Sequence, residues 1–239
     1  MCFVGHADNV SCLAINVKNT LIASGQTGKF SLVRIWDFQT RKCLAIFRNH
    51  DHSLYLLEFS SCGKFLCGIG KDKQCKTLVI IWDLKYIKCS ESIGYQNLGS
   101  NTVRIVAKAH TDVHVTKVLF VNYDSSRLIT CGRENVRIWR LKDDTLRSCA
   151  VNLSPYIQAL NMNSTYKDCD EDRSRKVQPK IFLDFTDLSV NYNPVFGNDQ
   201  SVYACTRTGQ IFEFNIAKME IENVRVLETL IKKKTGKVE

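Results

Sequence analysis

Val33-Arg34-Ile35-Trp36-Asp37, Val79-Ile80-Ile81-Trp82-Asp83 and Val136-Arg137-Ile138-Trp139-Arg140 are three versions of one short phrase, a β-branched run closed by tryptophan. Upstream of each lies a second apolar run rich in small residues: Leu21-Ile22-Ala23-Ser24-Gly25, Phe65-Leu66-Cys67-Gly68 and Leu128-Ile129-Thr130-Cys131-Gly132. A histidine opens each unit. His6 stands 30 residues before Trp36, His52 (with His50 beside it) 30 before Trp82, and His110 29 before Trp139. A fourth unit keeps the order of runs through Phe185–Val190, Ser201–Cys205 and Gln210–Asn215, with Phe214 in place of tryptophan and no opening histidine. Self-similarity at a period of roughly 45 residues is the mark of a repeat architecture.

Within a unit, Val10–Ile15, Leu21–Ser24, Leu32–Trp36 and Cys43–Phe47 are runs of strand-favouring residues separated by turn residues. Four short strands per unit, the third ending in tryptophan, predict one blade of a β-propeller. The chain therefore reads as all-β, with four blades at about 3–48, 50–107, 109–153 and 181–227. Two insertions lengthen the later spacings, one around Tyr86–Ser100 and one around Asn161–Lys180. The second is dense in charge and short of apolar residues, so residues 161–180 read as a disordered insertion. Residues 228–239 read as a basic tail with Lys232, Lys233, Lys234 and Lys237.

The 239 residues carry 33 Lys and Arg against 24 Asp and Glu, a net charge of +9. At 44% hydrophobic the composition is that of a folded globular chain, and no apolar run reaches the 18 or so residues that would span a membrane. The first residues lack the basic and apolar regions of a signal peptide, which points to an intracellular chain. Eleven cysteines without any C-x-x-C pair read as reduced thiols packed as small hydrophobes. Cys62, Cys67 and Cys75, with His50 and His52 upstream, are the nearest approach to a zinc pattern, but zinc sites take two ligands from one tight turn and this spacing does not provide them.

Catalytic motifs are equally poor. Gly25-Gln26-Thr27-Gly28-Lys29-Phe30 resembles a phosphate loop, yet Ala23 and Phe30 occupy positions that need Gly and Ser or Thr, and no helix follows. Ser53 beside His52 has no orienting acid. The reading is a non-enzymatic chain with no cofactor and no metal. The lysine-rich tail has no interleaved aromatics, so nucleic acid is not the expected partner; an acidic protein surface suits the net charge better.

The sequence resembles the WD-repeat family, on Gly5-His6, Trp36-Asp37, Trp82-Asp83, Ala109-His110 and Trp139-Arg140. The resemblance implies a hydrogen-bonded tetrad of His, Ser or Thr, Asp and Trp in each blade. It assigns His6, Ser24 and Trp36 to the first blade and His110, Thr130 and Trp139 to the third. For the second it suggests His52, Asp72 and Trp82, while the acid stays open in the first (insert Gln26–Leu32) and third (Glu134 nearby). Asp37 and Asp83, each following a strand-ending tryptophan, read as structural.

Within the family, Phe59–Asp72, Ala107–Asp112, Leu146–Leu153 and Phe185–Leu188 are similar to the centriolar and ciliary group typified by WD repeat-containing protein 90. A second likeness is to the echinoderm-microtubule-associated-protein-like group. This implies a scaffold on microtubules of centrioles, basal bodies or axonemes, in the cytoplasm and cytoskeleton, with tubulin or other centriolar or ciliary proteins as partners. The alternative reading is a general protein–protein adaptor unrelated to microtubules. Four blades fall short of the seven that usually close such a ring. The expectation is an open arc whose first and last blades both expose apolar faces, to be covered by a partner, a second copy or further blades.

Overall fold

Sixteen strands form four separate antiparallel meanders in the computed structural model, which describes residues 5–29, 31–87, 103–122, 124–158, 182–190 and 201–226. Blade 1 is β1 (Val10–Ile15), β2 (Leu21–Gln26), β3 (Val33–Asp37) and β4 (Cys43–Phe47). Blade 2 is β5 (Ser53–Phe59), β6 (Phe65–Lys71), β7 (Thr77–Asp83) and β8 (Arg104–Thr111). Blade 3 is β9 (Val115–Val121), β10 (Asp124–Gly132), β11 (Asn135–Lys142) and β12 (Thr145–Ala150). Blade 4 is β13 (Phe185–Val190), β14 (Ser201–Thr206), β15 (Gln210–Asn215) and β16 (Glu220–Val226). Each sheet pairs strictly in chain order, as a propeller blade requires. Outside the strands, residues 154–158 are helical, and Tyr156 there meets Phe212 edge-on at 4.9 Å. The 161–180 insertion, most of Tyr86–Ser100 and the basic tail with Lys232, Lys233, Lys234 and Lys237 lie outside the described residues.

The first strands pack in sequence, β1 on β5, β5 on β9 and β9 on β13, and no comparable packing joins β13 to β1 among the described residues. All four share one irregularity: the pairing shifts around Ser11, Tyr55, Thr116 and Thr186. Such bulges bend a strand and re-aim a side chain. Here two re-aimed hydroxyls stitch one blade to the next. Ser11 Oγ donates to the Leu54 carbonyl, and Thr116 Oγ1 donates to the Phe185 carbonyl at 2.7 Å.

Between blades the core is continuous, because β-branched and aromatic residues fill both faces of the middle strands. Trp82 of blade 2 is buried against Ala23, Ile35 and Ala45 of blade 1, and Trp139 of blade 3 packs with Cys67, Val79 and Ile81 of blade 2. Phe185, Phe212 and Phe214 of blade 4 pack with Ile129 and Ile138 of blade 3.

The arc is open, and its two ends differ. Leu57 and Phe59 in blade 2, and Val118 and Phe120 in blade 3, are buried by the preceding blade. The matching residues of blade 1, Leu13 and Ile15, are 60% and 46% exposed, and Ile46, across the same face on β4, is 53% exposed. That end is apolar, as anticipated. The other end corrects the expectation. By register, Glu213 of blade 4 stands where Ile35, Ile81 and Ile138 stand in the other blades, and its carboxylate accepts a 2.8 Å bond from the Tyr203 hydroxyl. An acid in place of a core isoleucine makes this face more polar than those buried between blades.

Candidate functional site

The opening histidine motifs resolve into three different arrangements. In blade 1, Trp36 Nε1 donates to Ser24 Oγ at 2.7 Å, and His6 Nε2 lies 2.6 Å from the same oxygen. His6 Nδ1 sits 2.8 Å from Gln26 Oε1. A carbonyl oxygen only accepts, so the ring carries its proton on Nδ1, and Nε2 accepts the Ser24 hydroxyl proton. The relay from Gln26 through His6 and Ser24 to Trp36 needs no acid; Gln26 takes the place the sequence left open. It ties residues ahead of β1 to β2 and β3.

Blade 2 departs from the expectation. His52 is exposed, with Nε2 3.3 Å from the Lys73 carbonyl, and does not reach Trp82. Trp82 Nε1 instead donates to Asn49 Oδ1 at 2.8 Å, and His50, only 2% exposed, meets the indole edge-on at 5.8 Å. The reason lies in β6. Gly68 occupies the register position of Ser24 and Thr130, so no hydroxyl is there to receive the indole. The ring fills the vacated space: a Cβ on Gly68 would come within 2.4 Å of Trp82 Cζ3. His50 Nε2 donates to the Leu78 carbonyl at 3.1 Å, and burial lowers its pKa to about 4, keeping the ring neutral.

Blade 3 keeps half of the expected set. Trp139 Nε1 donates to Thr130 Oγ1 at 2.8 Å, but His110 does not join them. β8 runs on to Thr111, past the expected boundary at 107, so His110 belongs to the second sheet, where its Nε2 lies 2.9 Å from Asp72 Oδ2. Asp72 Oδ1 accepts from the amides of Gln74 and Lys76 in the turn. Desolvation is the largest single influence on Asp72 and raises its carboxyl, but these donors and His110 together outweigh it and hold the carboxyl below the usual range. Asp37 and Asp83 shape turns after their tryptophans: Asp37 Oδ1 accepts from Gln39 and Thr40, and Asp83 Oδ1 from Lys85. In blade 4, Phe214 has no donor and Ala204 no hydroxyl, so donor and acceptor are lost together.

These groups are bonded to one another, which makes them architectural. Surfaces able to meet another molecule lie elsewhere. One cavity, about 570 Å³, lies on blade 3 and the helical turn that follows it, lined by Glu134, Asn135, Leu153 and Ile157 among others. A second, about 400 Å³, lies between β11–β12 and the turn after β15 and includes Arg127, Arg140 and Arg147. Sequence reasoning passed over these arginines because they are far apart in the chain. Among the described residues, no three His, Cys, Asp or Glu side chains group as metal ligands; Cys67 is buried while Cys62 and Cys75 are exposed.

Comparison with known proteins agrees with this architecture. The family model described as WD domain, G-beta repeat matches residues 1–37. WD repeat-containing protein 90 of Xenopus tropicalis is 37% identical over 225 residues, covering 93% of this chain and 10% of that protein. Centriole proteome protein 16 of Chlamydomonas reinhardtii is 27% identical over 92% of this chain and 10% of its own length. The chain thus spans about a tenth of the length of these two relatives. Among solved structures, the β-propeller domain of Cps50 (Swd1) from Myceliophteria thermophila superposes with a TM-score of 0.64 at 16% identity, covering 94% of this chain and 57% of that one. Four tryptophan- or phenylalanine-closed blades, a WD-repeat match at residues 1–37 and a relative matched along nearly the whole sequence give one conclusion: the chain carries WD repeats, folds as β-propeller blades and is similar to part of WD repeat-containing protein 90.

Proposed function

We propose that this chain is a non-enzymatic scaffold module of centrioles, basal bodies or ciliary axonemes, holding proteins together through its blade rims and seams. The observation that carries the reading is the 37% identity to WD repeat-containing protein 90 along 93% of the chain, supported by the likeness to a protein named for the centriole proteome. The buried polar groups that could be mistaken for catalytic ones, Ser24, Thr130 and His50, are engaged in structural hydrogen bonds, which supports a binding role. Microtubules are the proposed substratum and tubulin the proposed acidic partner. The +9 net charge favours attraction to such a surface, and Lys232, Lys233, Lys234 and Lys237 are the proposed contacts in the basic tail.

Imaging of the tagged chain in ciliated cells tests the location: coincidence with a centriole or basal-body marker is expected. A uniform cytoplasmic signal would instead support the general adaptor reading. Co-sedimentation with taxol-stabilised microtubules tests the partner, and its loss on truncation before Lys232 would assign the contact to the tail.

A further inference from the structure

The pairing of blade 3 sets three arginines side by side. Arg127 of β10 pairs with Arg140 of β11, and Arg140 pairs with Arg147 of β12. Neighbouring strands lie about 4.8 Å apart, so the three stems rise in one row across the sheet. Like charges directly opposite one another destabilise a sheet. Only one of the three is compensated, by the Arg127–Asp124 ion pair at 3.0 Å. The Arg140 and Arg147 side chains are exposed and have no ion pair or hydrogen-bond partner among the described residues. The row continues the face of blade 3 that carries Ile138 towards blade 4. It forms one wall of the 400 Å³ seam cavity; Ile216 and Met219, at the turn after β15, form the other.

We propose that this seam is a binding site for an acidic peptide segment with at least two neighbouring carboxylates and an apolar side chain beside them. Guanidinium groups pair with carboxylates in a two-pronged geometry, and two uncompensated ones in a row match successive acidic side chains. Met219, 40% exposed and backed by the buried Ile138 and Ile216, offers the apolar contact that a bare ion would not use. The arrangement does not suit a phosphate group, because the donors stand in line rather than converging on one point. It does not suit single-stranded nucleic acid either, since no aromatic ring lines the cavity to stack a base. The site narrows the acidic partner proposed above to a chemical class and an address. It rests on that reading only for the partner's charge, so a peptide assay on the isolated chain succeeds or fails independently of where the protein resides.

The test is fluorescence anisotropy of a fluorescein-labelled, leucine-containing, hexa-acidic peptide with the 239-residue chain. Saturable binding is expected, weakening as salt rises. The R140S/R147S double variant should bind about tenfold more weakly or worse, because charge-assisted pairs are lost. K18S/K42S removes the same charge from blade 1 and should change affinity less than about twofold. Relief of like-charge repulsion means R140S/R147S should melt no earlier than wild type. Should it nevertheless unfold, R140K/R147K keeps both charges and removes only the forked geometry; several-fold weaker binding is then expected. No saturable binding, equal losses in both serine double variants, a lysine pair as tight as wild type, or tighter binding of an oligonucleotide of equal charge would each overturn the assignment.

Discussion

Glu58 is an acid on the inner strand of blade 2, and replacing it with glutamine should stabilise the chain in a pH-dependent way. Its cross-strand neighbour is Cys67, which is fully buried, and the cation acting on it among the described residues, Lys117, is shared with Asp187 at 3.2 Å. Burial therefore dominates, with Lys117 partly offsetting it, and raises the Glu58 pKa from 4.5 to about 7. The sign follows. Below pH 4.5 the carboxyl is protonated folded or unfolded and costs nothing. Between 4.5 and 7 the unfolded chain ionises first, so stability is lost as pH rises. Raising the pKa from 4.5 to about 7 corresponds to up to about 3 kcal/mol. Glu58→Gln cannot ionise, so its stability advantage over wild type should grow by up to about 3 kcal/mol from pH 4.5 to pH 8.

His50 pulls the other way. Its pKa is lowered to about 4, so both proteins lose stability as pH falls from 6.5 towards 4. The difference between the two proteins cancels that slope. Urea unfolding of both chains across pH 4 to 8 reads it directly, as a midpoint difference of roughly 1 M developing at the alkaline end for a slope of about 3 kcal/mol per molar urea. A difference that stays constant with pH, or a glutamine variant less stable than wild type at pH 8, would refute the claim that burial controls this carboxyl.

Two further substitutions probe the blade architecture. Ser24→Ala leaves the Trp36 indole and His6 without their shared oxygen and should lower stability by about 2 kcal/mol by chemical denaturation, while Ser24→Thr should recover most of it. Gly68→Ala forces a methyl against Trp82, whose indole is held by Asn49 and packed on Phe47, and should cost about 1–3 kcal/mol with a change in tryptophan fluorescence; a silent substitution would mean the ring is free to move aside.

How much of this was legible in the sequence differs by level. Strand positions were, because alternating apolar runs ending in Trp36, Trp82, Trp139 and Phe214 carry the pattern of buried middle strands in local order; β1 and β4 match their expected bounds. The histidines were legible as motifs but not as partners. His50 and His52 both fit the spacing to Trp82, and only packing reveals that the first is buried. His110 precedes blade 3 in sequence yet hangs on the last strand of blade 2, because β8 runs longer than its apolar core suggests. Gln26 and Asn49 were missed because amides replaced the residues a motif search expects. Gly68 was the available clue, since a blade without a hydroxyl there must send its indole elsewhere. The arginine row was invisible for a different reason: Arg127, Arg140 and Arg147 become neighbours only once the register of three strands is known.

The unlike ends of the arc restrict how copies of this chain can meet. Joining head to tail would press Leu13, Ile15 and Ile46 of one molecule against Glu213 of the next, stranding a carboxylate in a dry contact at a cost of several kcal/mol. The same clash opposes a four-bladed ring, because closure brings those same two faces together. Two apolar ends facing each other carry no such cost. That contact is isologous, each molecule offering the same patch to the other about a twofold axis. It consumes both sticky surfaces at once and presents only polar ends outward. The single glutamate that replaces a core isoleucine in the fourth blade thus weighs against head-to-tail stacking of this arc, which an apolar residue there would favour.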